Sequence, residues 1–95
     1  MRIAYVGQSQ AKPDQIDALR HFLTTVVAPG VTASAGCESY QLLQSEADPT
    51  QFIGIEIWIS LEAHHAAVVD ITPESIAEFK QLVAAPPTGG YYRLV

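Results

Sequence analysis

The chain has 95 residues, enough for one domain over residues 1–95 and too few for two. Hydrophobic residues make up 48% of it and charged residues 16%, with 10 acidic side chains against 5 basic ones and a formal net charge of -5. Arg2, Lys12, Arg20, Lys80 and Arg93 are scattered, so there is no basic stripe to displace counterions from phosphates. Neither nucleic acid nor an anionic membrane surface is expected as a partner.

Cys37 is the single cysteine, which excludes an intramolecular disulfide and fits a reducing, cytoplasmic setting. The opening apolar run, Ile3 to Val6, is too short for a signal peptide. No segment approaches the roughly 20 apolar residues of a membrane span. A soluble cytoplasmic protein is expected.

Residues 2–7 read as a short buried strand. After the polar stretch Gln8 to Lys12, Pro13 and Asp14 suit the first turn of a helix. Ile16, Leu19, Leu23 and Val26 recur at helical spacing, Phe22 and Val27 widen the stripe, and Pro29-Gly30 is expected to end it. Residues 35–45 predict a strand of mixed polarity. Glu46-Ala47-Asp48-Pro49 carries turn chemistry, and a second strand follows from Gln51 to Ile59. So short a link implies an antiparallel hairpin.

Side chains alternate along a strand, so Ile53, Ile55, Ile57 and Ile59 share one face, and Phe52, Gly54, Glu56 and Trp58 the other. Ser60 is placed to cap a helix starting at Leu61. Thr72 is placed to cap a further helix, with Pro73 and Glu74 in its first turn and Ile76, Phe79 and Val83 as its stripe. Pro86-Pro87 stops that helix, and Gly89-Gly90 is expected to turn the chain into a last strand, Tyr91 to Val95.

This order predicts an α+β, ferredoxin-like β-α-β-β-α-β fold: a four-stranded antiparallel sheet with its helices on one face. The other face is left bare. If the four isoleucines lie there, burying them contributes on the order of 6 to 12 kcal/mol, at about 1.5 to 3 each. Left wet, they would join an apolar patch larger than soluble monomers usually carry. A homodimer is expected.

The stretch Gly36-Cys37-x-x-Tyr40-x-Leu42, followed by Ser45, Asp48-Pro49, Phe52, Glu56-x-Trp58 and Ser60-x-Glu62-Ala63, resembles the antibiotic biosynthesis monooxygenase (ABM) family. The resemblance implies a dimeric α/β barrel. Some members oxygenate polycyclic phenols or quinols without a cofactor, and some degrade haem. For the oxygenating members, it implies that an ionised, electron-rich substrate itself reduces dioxygen, in a dry pocket that supplies orientation and a proton acceptor. Members commonly place a histidine nine or ten residues beyond the tryptophan. Here those positions are Ala67 and Val68, and the histidines come earlier, at His64 and His65. The asparagine that haem degraders use near the end of the first strand has no counterpart, since the sequence contains none.

Glu56 stands among apolar strand neighbours, so its carboxylate is expected to be paired or raised in pKa, either of which suits a general base; a structural ion pair with Arg93 or a tyrosine hydroxyl is the alternative. His64 and His65 diverge by roughly 100° on a helix and cannot chelate one metal together. One of them is a candidate proton acceptor. With the lone Cys37, no zinc pattern arises, and neither a metal nor a cofactor is expected.

Trp58, Tyr40 and Phe52 are the candidate substrate contacts, Trp58 and Tyr40 having core packing as their plainer role. The resemblance places the Glu56/Trp58 face toward the helices. Tyr5, Tyr91 and Tyr92 carry weaker cases. The expected function is a cofactor-independent monooxygenase for an aromatic or quinol-type small molecule. The alternatives are a non-catalytic ligand-binding or regulatory dimer, and an isomerase or cyclase using the same acid/base groups.

Overall fold

A computed structural model describes residues 1–68 and 71–95 of the chain. Strands β1 (Ile3–Gln10), β2 (Cys37–Gln44), β3 (Gln51–Trp58) and β4 (Thr88–Arg93) form one sheet in the order β2-β3-β1-β4, every pair antiparallel. The helical elements are α1 (Ile16–Phe22), a π-helical turn (Leu23–Val27), α2 (Ala28–Ala33), α3 (Leu61–Val68) and α4 (Pro73–Leu82). This is the expected ferredoxin-like fold. No helix among the described residues is long and apolar enough to cross a membrane.

Helix entry follows local chemistry at two of the three expected places. The Ser60 hydroxyl accepts from the Ala63 N–H at 3.1 Å, and the Thr72 hydroxyl accepts from the Ser75 N–H at 3.2 Å. Each satisfies a donor that the first helical turn leaves without a partner. At Pro13-Asp14 the expectation fails. The Gln15 N–H bonds Lys12 O at 2.9 Å, closing a separate turn, and α1 starts only at Ile16.

Pro29-Gly30 does not end the first helical stretch, which runs on to Ala33. The preceding π turn lets the Ala28 N–H reach back to Leu23 O, and Pro29 enters at the start of the next segment. A proline at 29 donates no N–H, and the π turn widens the bonding pattern just before that missing bond. Threonine hydroxyls serve carbonyls along the stretch: Thr24 donates to Arg20 O at 2.9 Å and Thr25 to His21 O at 2.7 Å. The wide turn also shifts the helical phase. Val27 packs against the core while Val26 is 41% exposed.

The core joins Leu19 and Leu23 to Phe52, Ala11 and Val83, with Ile16, Val27, Leu42, Phe79 and Leu82 packed around them. These residues place the first helical stretch and α4 on the Phe52/Leu42 side of the sheet. By alternation, Ile53, Ile55 and Ile57 point to the opposite face, beside Val6, Leu43 and Tyr92. Leu43 is 47% and Tyr92 58% exposed there. Ile59 lies beyond the end of β3; its N–H bonds Gly36 O at 2.9 Å.

The last strand is Thr88–Arg93 rather than Tyr91–Val95. Gly89 and Gly90 belong to the ladder, opposite Gly7 and Val6 of β1. Gly89 is required by its neighbour: a Cβ at that position would overlap the Tyr5 hydroxyl. Its glycine character marks a close approach, not a turn.

Candidate functional site

Register builds the site. On the helix-bearing face, Tyr40 of β2, Glu56 of β3, Tyr5 of β1 and Tyr91 of β4 stand side by side in one row across all four strands. The adjacent row is Leu42, Gly54, Gly7 and Gly89. Three glycines in register leave a trough, and the tyrosines lie into it. A Cβ at Gly54 would stand 3.0 Å from the Tyr40 ring, and one at Gly7 would stand 3.4 Å from the Tyr5 ring.

Above this row, α3 lowers His64. Its ring stacks on Tyr5, with centroids 4.4 Å apart and planes 24° from parallel, and meets Trp58 edge-on at 5.2 Å. His64 Nδ1 is 2.7 Å from the Tyr91 hydroxyl, and Nε2 is 3.8 Å from Glu56 Oε1. That same carboxylate oxygen accepts the Trp58 indole N–H at 2.9 Å. His64 and Trp58 are buried, at 6% and 1% exposure.

Burial pushes the Glu56 carboxyl up, and the Trp58 N–H, which stabilises the charged form, partly offsets it. Burial, and behind it the neighbouring His65, hold the His64 imidazole below its ordinary range. Above pH 6.5 His64 is therefore mainly a neutral ring beside Glu56, not half of an ion pair. Burial, and then the Glu56 charge, push the Tyr40 hydroxyl up to about 12. The Tyr91 hydroxyl is raised by desolvation first, then by Tyr5 and Glu56.

The six expected site residues divide clearly. Glu56, Trp58 and His64 meet directly, and Tyr40 flanks Glu56 in the row. His65 is exposed, its ring 5.8 Å from that of Tyr91. Phe52 is placed elsewhere: at 2% exposure it is a centre of the core with Leu19 and Val83, because the first helical stretch and α4 close over that end of β3. Glu56 is partnered by Trp58, and neither Arg93 nor a tyrosine takes that bond. Cys37, half-buried with its thiol pushed up chiefly by burial, has no activating base.

Tyr5 and Tyr91, the weaker candidates from sequence, also join this cluster. Their signal was the pairing of each with a glycine two positions away, Gly7 and Gly89, on the same strand face. A shallow hollow of about 160 Å³ lined by Gln8, Gln10, Gln51, Pro86 and Thr88 lies elsewhere on the sheet and includes none of these groups. Chemically, the cluster offers a water-poor carboxylate of raised proton affinity, a neutral imidazole beside it, and flat aromatic surfaces around both.

A search of curated proteins found no match to the sequence. Among solved structures, Rv0793 from Mycobacterium tuberculosis is 22% identical, with a TM-score of 0.84 over 100% of this chain and 96% of that one. PA3566 from Pseudomonas aeruginosa is 26% identical, with a TM-score of 0.79 over 99% and 95%. SnoaB from Streptomyces nogalater, a cofactor-independent oxygenase, is 12% identical, with a TM-score of 0.80 over 98% and 92%. The sequence pattern of the antibiotic biosynthesis monooxygenase family matches residues 2–69, and the chain belongs to that family.

Proposed function

We propose that this protein is a cofactor-independent monooxygenase for an aromatic or quinol-type small molecule bound between the sheet and α3. The observation that carries this reading is the partly buried Glu56 carboxyl, held by the Trp58 N–H and faced by His64. The likeness in fold to SnoaB supports it. So does the glycine row, which keeps that sheet face low enough for planar rings, at present those of Tyr5 and Tyr40.

In this reading Glu56 takes a proton from the substrate, whose anion is electron-rich enough to reduce dioxygen. A C–O bond forms at an activated ring CH₂, giving a hydroperoxide once Glu56 returns its proton. Loss of water then leaves a carbonyl. One oxygen atom ends in the product and one in water, and all four electrons come from the CH₂ carbon. Exclusion of bulk water protects the anion and strengthens the electrostatics around it.

The working unit is a homodimer, supported by the apolar open face of Ile53, Ile55, Ile57, Val6, Leu43 and Tyr92. A reducing cytoplasm suits its free Cys37.

Oxygen-electrode assays over a panel of quinols, anthrones and naphthols test the chemistry. One dioxygen consumed per ketone or quinone formed is expected, with Glu56→Gln slower by about 10²-fold or more. No enzyme-dependent uptake across the panel refutes it. The close packing of His64, with a polar group at each ring nitrogen, favours a second reading, a ligand-binding dimer without turnover. A compound that co-purifies and is released unchanged would support that one.

A further inference from the structure

His64 is buried, yet its neighbour Tyr91 is 44% exposed. The Tyr91 hydroxyl touches Nδ1 of the ring, and the far nitrogen faces the Glu56 carboxylate. The three groups therefore run in sequence from solvent to the partly buried carboxyl, through one hydrogen bond (Tyr91 to His64) and one 3.8 Å approach (His64 to Glu56). We propose that Tyr91 is the water-side end of a proton path through His64 to Glu56, and that its hydroxyl holds His64 in the tautomer with hydrogen on Nε2.

The tautomer follows from what each nitrogen faces. Glu56 Oε1 already accepts the Trp58 N–H, which favours the ionised carboxylate against the larger, opposing effect of burial, and the tautomer preference holds where Glu56 is ionised. An imidazole lone pair aimed at that anion would be repelled, whereas an Nε2–H would be attracted. Nδ1 is then the acceptor, and the Tyr91 O–H must donate to it. The other groups facing this assembly do not compete for Nδ1. Tyr5 of β1 stacks on the face of the ring, Trp58 of β3 presents its edge, and His65 sits 6.4 Å away by ring centroid. Tyr40 of β2 stands beside Glu56 in the row.

Transfer inward balances. Once the 3.8 Å between Nε2 and Glu56 Oε1 closes to hydrogen-bond distance, the Tyr91 proton moves to Nδ1 as the Nε2 proton moves to Glu56, and water reprotonates the phenolate. Transfer outward reverses each step and restores the tautomer. Tyr91 acts through His64, so it is a positioning residue. Desolvation first, then Tyr5 and Glu56, raise the proton affinity of the Tyr91 hydroxyl, so it keeps its proton at rest and passes one on only with replacement from water. In turnover the path would set the protonation of Glu56 before substrate binds; that use rests on the oxygenase reading, whereas the tautomer does not, so the two stand or fall separately.

Nitrogen-15 NMR of histidine-labelled protein reads the tautomer without any substrate. The wild type is expected to show His64 with a protonated Nε2 and an acceptor-type Nδ1 resonance through neutral pH. Tyr91→Phe, which keeps the ring and deletes the hydroxyl, is expected to shift Nδ1 toward the value of a free tautomer mixture. Tyr5→Phe, which deletes a hydroxyl of the same cluster that does not bond His64, is expected to match the wild type. A protonated Nδ1 in the wild type overturns the proposal, and that measurement needs no variant to fold. An Nδ1 resonance in folded Tyr91→Phe equal to that of the wild type overturns it too. If oxygenase activity is found, Tyr91→Phe is expected to move its pH profile; an unmoved profile beside a changed tautomer removes the proton path and leaves only the tautomer.

Discussion

Trp58→Phe puts the energetic centre of the site to a direct test. The substitution keeps an aromatic ring but removes the indole N–H that Glu56 Oε1 accepts at 2.9 Å. A hydrogen bond to a charged group contributes about 1.5 to 3 kcal/mol. The smaller ring also leaves a void at a residue only 1% exposed, at a fraction of the about 3 to 5 kcal/mol that full truncation to alanine costs. The expected loss is about 2 to 4 kcal/mol, a large part of the about 5 to 15 kcal/mol available to a domain of this size. Urea unfolding at fixed protein concentration measures it. Circular dichroism must follow the variant, since Trp58 is the only tryptophan. The decisive comparison is the double-mutant cycle with Glu56→Leu, which removes the acceptor, and a coupling of about 1 to 3 kcal/mol is expected. Coupling near zero would mean that the indole and the carboxylate do not depend on one another, and the site as described would be wrong. A carbon-13 titration of the Glu56 carboxyl gives a second reading: its pKa should rise further in Trp58→Phe, because the group that opposed the effect of burial is gone.

Stability should vary with pH in opposite senses for two neighbours. Glu56 is raised from 4.5 by burial, so the folded state holds its proton more tightly than the unfolded chain; this contribution is full below 4.5 and is lost as pH rises through the folded value. His64 is lowered from 6.5, so its contribution is present above 6.5 and is lost as pH falls through the folded value. Glu56→Gln removes only the first, and its unfolding free energy relative to the wild type should increase as pH is raised from 4.5 to neutrality; a constant difference would contradict the burial argument. Gly89→Ala places a Cβ into the Tyr5 hydroxyl and should cost about 1 to 3 kcal/mol, whereas Gly90→Ala, whose Cβ would meet Tyr92 at an ordinary 3.6 Å, should cost clearly less; thermal melts of the pair decide. Ile55→Asp on the open sheet face should convert the proposed dimer to monomer in sedimentation equilibrium, and an unchanged mass would place the interface elsewhere.

Local rules reached far in this chain. Alternation alone divided Phe52, Gly54, Glu56 and Trp58 from the isoleucines, because a strand offers only two faces. Hydroxyl caps at Ser60 and Thr72 were legible because a cap is made within four residues. The hairpin, the order of elements, the fold class and Glu56 as an out-of-place carboxylate all followed from such short-range information. Tertiary structure alone decided the remainder. Pro29-Gly30 reads as a stop, yet the helix continues, since a π turn and threonine hydroxyls rearrange the bonding around it. Gly89-Gly90 reads as a turn, yet it is strand, since Tyr5 from 84 positions earlier needs the space. Phe52 and Trp58 share a face and a pattern, but the core helices cover one and α3 the other. That His64 rather than His65 faces Glu56, and meets Tyr5 and Tyr91, depended on strand register and on how α3 packs over the sheet. Those are set by contacts between residues far apart in the chain, which no window of neighbouring residues contains.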